Sequence, residues 1–227
     1  MTTDILHEQK ILILDFGSQY TQNIARKVRE CQIYSEIHPC TLTFEEIKNL
    51  NAKGIILSGG PASVQEKDSP LCDLRLFKLG VPILGICYGM QLITHLLGGK
   101  VDSSPHREFG RAELMLNEFS EIFEEAKNNS IVWMSHGDRI SKLPTGFKGI
   151  ACTNNSPLAA IENSAAKIYG LQFHPEVVHT LEGTKILSNF LFKICKCSRN
   201  WKMESLIEHM IRDIQSKVKN SNVVCGL

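Results

Sequence analysis

Apolar runs and amphipathic segments alternate along the first half of the chain. The apolar runs at residues 10–16, 54–58 and 81–86 are nearly continuous, which is typical of strands that are buried on both faces of a sheet. A further strand is predicted at residues 33–37. The segments between these runs have apolar residues at helical spacing and predict helices at residues 18–30, 44–50, 71–79 and 88–97. This order predicts an α/β fold with a mostly parallel central sheet and helices on both faces.

The alternation stops after residue 100. Residues 109–116 and several stretches between residues 131 and 173 have strand character, and few long helical segments separate them. We therefore expect an added antiparallel portion of the sheet. A final helix is predicted at residues 181–195, and we expect residues 1–200 to form one domain.

The last part of the chain has a different pattern. Its apolar residues fall on one helical stripe, and they are Met203, Leu206, Ile207, Met210, Ile211, Ile214 and Val218. Residues 222–227 then have strand character. Two interpretations are open: the helix belongs to a second domain that begins at residue 201, or it packs on the first domain.

Composition and charge limit the classes of partner and the compartment that we expect for this chain. The chain has 25 Lys and Arg residues against 24 Asp and Glu residues, so no strong field attracts nucleic acid or a membrane surface. It has no apolar run of the roughly 20 residues that a membrane span needs, and residues 1–10 lack the pattern of a signal peptide, so we expect a cytoplasmic protein. The eight cysteines are scattered and are expected to be reduced. Cys195 and Cys197 have no second pair at zinc-finger spacing, which favours structural thiols and predicts no metal site.

Cys87 is the strongest candidate for a nucleophile. It lies in the sequence Gly85-Ile86-Cys87-Tyr88-Gly89, between a predicted buried strand and a predicted helix, which is the spacing and context of a nucleophile elbow. Glycines suit such a turn because neighbouring backbone segments approach closely. The N-terminus of the following helix favours a thiolate. The alternative is a buried structural cysteine, the usual role of a cysteine outside such a context.

His174 and Glu176 are candidates for a base and for the group that orients it. His174 follows a predicted strand and precedes Pro175, which favours an extended backbone. In an extended segment residues two apart share a face, so Glu176 is placed to bond one imidazole nitrogen while the other faces Cys87. The tripeptide alone would favour a structural histidine. Together with a cysteine elbow it predicts a catalytic one.

Two backbone N–H groups are candidates for an oxyanion hole. A Ser-Gly-Gly-Pro segment at residues 58–61 follows the third predicted strand, where a doubly wound sheet gathers its binding loops. The N–H of Gly60, together with that of Tyr88 directly after the nucleophile, could bind a developing oxyanion. An ordinary turn is the alternative.

Two further patterns carry less information. Residues 133–138, Trp-Met-Ser-His-Gly-Asp, place polar groups after an apolar run. The residues alone leave open whether they form an ordinary loop or the wall of a substrate pocket. Residues 15–17, Asp-Phe-Gly, imitate a kinase motif without its partner motifs, and we interpret them as a strand end.

Several of these segments resemble the signature blocks of class I glutamine amidotransferases. The blocks are GICYGMQ around Cys87, SGGP at Ser58 and QFHPE at Gln172. Further segments resemble, within that family, the amidotransferase domains of GMP synthetases, and they are LDFGSQYTQ at residues 14–22, REFG at 107–110, WMSHGD at 133–138 and HPEVVHT at 174–180. The resemblance covers the chain to about Trp201.

The resemblance implies a flavodoxin-like sheet and a role for each candidate residue. Cys87 would attack the side-chain amide of glutamine, His174 would protonate the leaving ammonia, and Glu176 would complete the triad. Gly60 and Tyr88 would form the oxyanion hole. By the same resemblance the glutamine pocket would be formed by Gln91, Ser135, His136 and Asp138.

The resemblance also implies a partner. In GMP synthetases the ammonia passes to an ATP-pyrophosphatase domain of the same polypeptide, where ATP and Mg²⁺ support the amination of XMP to GMP in purine biosynthesis. Glutamine hydrolysis itself would need no cofactor. Residues 201–227 would be the truncated start of that second domain, and the sequence leaves the oligomeric state open.

Two other functions are compatible with parts of the sequence. The domain could serve an anthranilate, carbamoyl phosphate or CTP synthetase, but the SQYTQ and WMSHGD segments argue against this. The chain could also be a non-catalytic flavodoxin-like module. The presence of Cys87, His174 and Glu176 together argues against that interpretation.

Overall fold

The structure is a computed structural model that describes residues 9–201, residue 211 and residues 214–219. Within these ranges the strands are β1 (Lys10–Asp15), β2 (Tyr34–Pro39), β3 (Gly54–Leu57), β4 (Ile83–Ile86), β5 (Lys100–Leu116), β6 (Ser130–Lys142), β7 (Lys148–Cys152), β8 (Ala160–Asn163) and β9 (Ile168–Leu171). The α-helices are α1 (Thr21–Glu30), α2 (Phe44–Asn49), α3 (Tyr88–Leu96) and α4 (Gly183–Ser188), which continues as a π-helical turn at Asn189–Ile194.

The strands form one mixed sheet in the order β2-β1-β3-β4-β9-β8-β7-β5-β6. The pairings from β2 to β9 are parallel, and those from β9 to β6 are antiparallel. The predicted α/β class and the added antiparallel portion are confirmed. The antiparallel portion is larger than expected, because it contributes half of the pairings among the described strands.

Two hydrophobic cores lie on opposite faces of the sheet. Because side chains alternate along a strand, Ile11 and Ile13 of β1 join one core while Leu12 and Leu14 join the other. The first core includes buried residues of α1 and α4, and the second includes buried residues of α2 and α3. The predicted helices on both faces are therefore confirmed. Burial on both faces explains why the parallel strands are apolar throughout.

The carboxyl ends of the parallel strands meet at one edge of the sheet, where folds of this kind bind their ligands. Residues 16–20 follow β1, Ser58 follows β3, Cys87 follows β4, and His174 lies shortly after β9. β4 and β9 pair directly, although β5 to β8 separate them in sequence. The sheet therefore brings distant segments of the chain side by side at this edge.

Two predicted helices differ from the structure. At residues 71–79 the helical piece is only the 3₁₀ turn Leu74–Lys78. The side chain of Asp73 accepts a hydrogen bond from the N–H of Arg75 and so starts the turn late, which leaves too few residues for an α-helix. The final helix begins at Gly183 instead of residue 181 and changes to π-helical geometry in its second half.

Most of the predicted amphipathic helix at residues 203–218 lies outside the described residues, as does the predicted strand at 222–227. Ile211 and residues 214–218 are helical, and the side chains of Ile211 and Ile214 are 49% and 53% exposed. Across the described ranges, no helix is long and apolar enough to cross a membrane.

Candidate active site

Cys87 lies in a strained turn between β4 and α3. Its φ of 52° and ψ of −106° are unusual for a residue with a side chain. A backbone conformation of this kind persists only where the surrounding structure imposes it. The Cys87 N–H donates to the carbonyl of Leu171 in β9 at 2.7 Å. A Cβ added to Gly89 would lie 2.4 Å from the carbonyl oxygen of Leu57, and one added to Gly85 would lie 2.5 Å from the backbone of Gly89. The two glycines therefore allow α3 to begin directly against β3 and β4.

His174 is held in place from three sides. Its N–H donates to the carbonyl of Trp133 in β6 at 3.0 Å, and its own carbonyl accepts from the hydroxyl of Thr180 at 2.6 Å. The ring of Tyr20 contacts the imidazole edge to face, with ring centroids 5.2 Å apart. These contacts leave the buried imidazole little freedom to rotate.

The imidazole of His174 joins Cys87 to Glu176. Its Nδ1–H donates to Glu176 Oε1 at 2.7 Å, and the imidazole is also hydrogen-bonded to the thiol of Cys87. Burial lowers the pKa of His174, but the hydrogen bonds and charges of Cys87 and Glu176 outweigh burial and raise this pKa to about 10. The site thus favours an imidazolium beside the sulfur of Cys87. The second oxygen of Glu176, Oε2, is buried without a hydrogen-bond partner among the described residues.

A cavity of about 700 Å³ opens in front of Cys87 and His174. Its walls come from the segments after β1, β3 and β4 and from β5 and β6. Of the nine residues predicted for the site, eight line this cavity: Gly60, Cys87, Tyr88, Gln91, Ser135, His136, Asp138 and His174. Glu176 lies behind His174, as a residue that orients a base should.

The two predicted oxyanion donors lie at the floor of the cavity. Tyr88 is the first residue of α3, so its N–H has no acceptor within its own helix. Its ring is fixed by Phe16, with centroids 5.5 Å apart, and by a 2.6 Å hydrogen bond from its hydroxyl to the carbonyl of Pro70. A Cβ on Gly60 would lie 2.6 Å from the carbonyl oxygen of Phe16, so only glycine fits there. Gly59 is close to the base, since a Cβ added to it would lie 3.1 Å from Cε1 of His174.

Three of the four predicted pocket residues are tied to one another. Gln91 donates from Nε2 to the carbonyl of Asp138 at 3.2 Å, and His136 donates from Nδ1 to the same carbonyl at 2.9 Å. The backbone of Ser135 is close to the nucleophile, since its carbonyl oxygen lies 3.5 Å from Cys87 Sγ. The imidazole of His136 is therefore engaged by the protein and does not project freely into the cavity.

Sequence reasoning missed some residues that the structure places in or beside the site. Gln172 is fully buried, and its Nε2 lies 3.8 Å from Cys87 Sγ. Glu108 is buried against His136, while Arg107 lines the cavity itself. All three belong to the QFHPE and REFG segments of the family resemblance, but nothing in their local pattern assigned them a contact.

Known proteins share much of the sequence of this chain. The family model for glutamine amidotransferase class I matches residues 12–194. The chain is 56% identical over 218 residues to a GMP synthase [glutamine-hydrolyzing] of Brachyspira hyodysenteriae, covering 96% of this chain and 42% of that relative. It is 48% identical over 222 residues to the enzyme of the same name from Bacillus subtilis, covering 98% of this chain and 43% of that relative. The chain thus spans less than half the length of these relatives.

Solved structures show the same fold. A Thermoplasma acidophilum protein described as one subunit of a GMP synthase superposes with a TM-score of 0.75 at 31% identity, covering 92% of this chain and 98% of that one. A glutamine amidotransferase from Thermotoga maritima superposes with a TM-score of 0.62, covering 92% of this chain and 93% of that one. At 19% identity the second comparison supports the fold alone.

Proposed function

Because the chain belongs to the class I glutamine amidotransferase family, we propose that it hydrolyses glutamine to glutamate and ammonia through a thioester on Cys87. One observation carries the residue assignment. The sulfur of Cys87, at a strained turn on the cavity floor, is hydrogen-bonded to an imidazole that lies 2.7 Å from the buried carboxylate of Glu176. A nucleophile, a base and an orienting acid in this arrangement suit acyl transfer.

In the first half of the reaction, the Cys87 thiolate attacks the carbon of the glutamine carboxamide. The carbonyl oxygen becomes an oxyanion, which accepts hydrogen bonds from the N–H groups of Gly60 and Tyr88. Each such donor contributes roughly 3 kcal/mol to lowering the barrier. The imidazolium of His174 gives its proton to the departing nitrogen, so the C–N bond breaks, ammonia leaves and a thioester remains.

In the second half, water attacks the thioester. His174, now neutral, takes a proton from that water, and the electron pair of the breaking C–S bond returns to sulfur. The products are glutamate and the original thiolate–imidazolium pair. Glu176 stabilises the imidazolium in both halves and holds its ring in one orientation.

The pocket residues are proposed to bind the amino-acid end of glutamine. Gln91 and His136 fix the carbonyl of Asp138 and thereby the wall of the cavity. Asp138 and Arg107 line the cavity from neighbouring strands, and we propose that the Asp138 carboxylate attracts the α-ammonium while Arg107 attracts the α-carboxylate. Ser135 contributes its backbone beside the sulfur.

We also propose a destination for the ammonia. The relatives named GMP synthase are more than twice as long as this chain, so we assign residues 1–200 to an amidotransferase domain and residues 201–227 to the start of an ATP-pyrophosphatase domain of the same polypeptide. There ammonia would aminate XMP to GMP with ATP and Mg²⁺, whereas the proposed glutamine hydrolysis uses no cofactor. Free thiols at the seven described cysteines fit a reducing compartment such as the cytoplasm.

An electrophilic glutamine analogue tests the nucleophile and the pocket together. We expect one adduct, located by peptide mass spectrometry on Cys87, and its formation should be slowed by excess glutamine. Cys87→Ser should abolish both the adduct and glutamate release, whereas Cys152→Ser, at a half-buried thiol outside the cavity, should change neither. Modification of another cysteine, or wild-type glutamate release by Cys87→Ser, would contradict the proposal.

A further inference from the structure

A buried carboxylate and a buried imidazole are in contact at the wall of the cavity. Glu108 in β5 and His136 in β6 are direct cross-strand partners, and both are at least nine-tenths buried. His136 Nε2 lies 3.2 Å from Glu108 Oε2, while Glu108 Oε1 accepts from the hydroxyl of Thr153 at 2.9 Å. Side chains alternate along β5, so the flanking residues Arg107 and Phe109 line the cavity while Glu108 faces inward. Of this pair, His136 lines the cavity where a substrate would bind, whereas Glu108 does not.

The pair lies where the strand pairing of β5 with β6 is interrupted. Ser103 is opposite Asp138 and Glu108 is opposite His136, so residues 104–107 of β5 are opposite Gly137 alone. A bulge of this kind disrupts the ladder of backbone hydrogen bonds locally. The contact between Glu108 and His136, at the end of this bulge, therefore links the two strands where their backbone hydrogen bonds are disrupted.

Hydrogen bonds continue from His136 to the sulfur. His136 Nδ1 and Gln91 Nε2 both donate to the carbonyl of Asp138, at 2.9 Å and 3.2 Å. Gln91 Nε2 also donates to Gln172 Oε1 at 3.3 Å, and Gln172 Nε2 lies 3.8 Å from Cys87 Sγ. The side-chain amide of Gln91 thus uses both of its hydrogens on protein acceptors. Each side chain in this chain of contacts is buried, so no bond in it is readily replaced by one to solvent.

The acceptors around His136 fix how its ring is used. A carbonyl oxygen only accepts, so Nδ1 must carry a hydrogen. The contact between Nε2 and a carboxylate is attractive only when a hydrogen lies between them as well. Glu108 therefore holds the ring in the one orientation that supports the carbonyl of Asp138, and removing this carboxylate would leave a buried polar ring without its partner.

We propose that Glu108 is a positioning residue for the glutaminase reaction, and that it acts through His136 on the pocket wall and on the Cys87 thiol. This inference rests on the proposed function, because it assigns the residue to glutamine hydrolysis. Glu108 touches neither substrate nor sulfur. Its effect is to keep the amides of Gln91 and Gln172 in register with the nucleophile.

Three variants of the full chain test the proposal. Glu108→Ala removes the carboxylate, Glu108→Gln keeps a side chain of the same size that can bond His136, and Glu113→Ala changes an exposed glutamate on the same strand. We expect Glu108→Ala to lower kcat by about a hundredfold, since small misplacements of reacting groups have effects of that order, with a smaller change in KM. Glu108→Gln should restore most of the rate, and Glu113→Ala should match the wild type.

A second measurement does not depend on catalysis. The side-chain amide hydrogens of Gln91 and Gln172 should exchange slowly with solvent in the wild type, as followed by NMR, and should exchange faster in folded Glu108→Ala. Unchanged exchange in that variant would overturn the proposal, as would a failure of Glu108→Gln to restore the rate lost in Glu108→Ala. If the wild type releases no glutamate, the proposed function fails, while the exchange measurement still decides whether Glu108 orders the two amides.

Discussion

Replacing Glu176 by Gln removes one charge from the candidate active site and preserves its shape. The Glu176 carboxylate is buried, with Oε1 2.7 Å from Nδ1 of His174. A glutamine of the same size can still accept that hydrogen bond through its carbonyl oxygen. Its amide nitrogen would take the place of Oε2, which has no hydrogen-bond partner among the described residues. The main change is therefore electrostatic.

The size of the effect follows from the distance between the charges. An imidazolium and a carboxylate with centres about 4 Å apart attract by roughly 4 kcal/mol at an effective dielectric constant of about 20. This energy corresponds to roughly three pKa units. We therefore expect the pKa of His174 to fall from about 10 by at most that amount, because the hydrogen bond with Cys87, the largest cause that raises this pKa, remains in the variant. If the imidazolium is present when ammonia leaves, kcat should fall by up to about a thousandfold.

The sign of the pH dependence also follows. The pKa of His174 is raised in the folded state, so its contribution to stability is fully present below the unfolded value of 6.5 and is lost as the pH rises through about 10. The wild type should therefore exceed Glu176→Gln in free energy of unfolding most strongly near pH 6.5. The difference should shrink as the pH approaches 10.

Two assays measure these effects. Glutamate release at saturating glutamine gives kcat near neutral pH, and urea unfolding near pH 6.5 and near pH 10 gives the two free energies. Glu125→Gln, at a glutamate with a 75% exposed side chain that does not line the cavity, is the matched control and should behave as the wild type does. A Glu176→Gln variant with the wild-type kcat, or with a stability loss that is the same at both pH values, would refute the electrostatic role of Glu176.

Two further predictions concern packing and thiol reactivity. In Gly183→Ala the new Cβ would lie 2.1 Å from the carbonyl oxygen of Pro175, the residue between His174 and Glu176. Glutamate release should therefore fall, even though Ala normally stabilises a helix by about 1 kcal/mol relative to Gly. A more active variant would show that the segment tolerates the shift. Burial raises the pKa of Cys72 to about 12 and that of Cys195 well above its usual range, so iodoacetamide near neutral pH should leave both thiols unmodified until the protein is denatured, as peptide mass spectrometry can show. Rapid native modification of either thiol would contradict their burial.

The parallel half of the sheet was predictable because the burial of each strand is visible in a short stretch of its own sequence. Strands buried on both faces must be apolar at successive positions, as in Ile11, Leu12, Ile13 and Leu14, so a short window of sequence identifies them. The same reasoning wrongly predicted an α-helix at residues 71–79. A helix there has the right apolar content, but a hydrogen bond from the backbone of Arg75 to the side chain of Asp73 decides the geometry.

The residues of the candidate site also differ in whether local sequence predicts them. Cys87, His174 and Glu176 are each marked by residues next to them in sequence, and the structure brings them together, while their roles stay predictions. The contact of Glu108 with His136 is different in kind. It depends on the register of two long antiparallel strands across a bulge, and no local pattern encodes that register.

The pairing of β4 with β9 also sets an order of events when the protein is made. His174 follows Cys87 after 87 further residues, beyond the whole of β5 to β8. At a translation rate of roughly 5–20 residues per second, the cysteine leaves the ribosome roughly 4–17 seconds before the histidine. The nascent chain thus carries its sulfur without a base until the ninth strand inserts beside the fourth. The proposed release of ammonia requires Glu176 as well as Cys87, so its onset would report that this late insertion is complete.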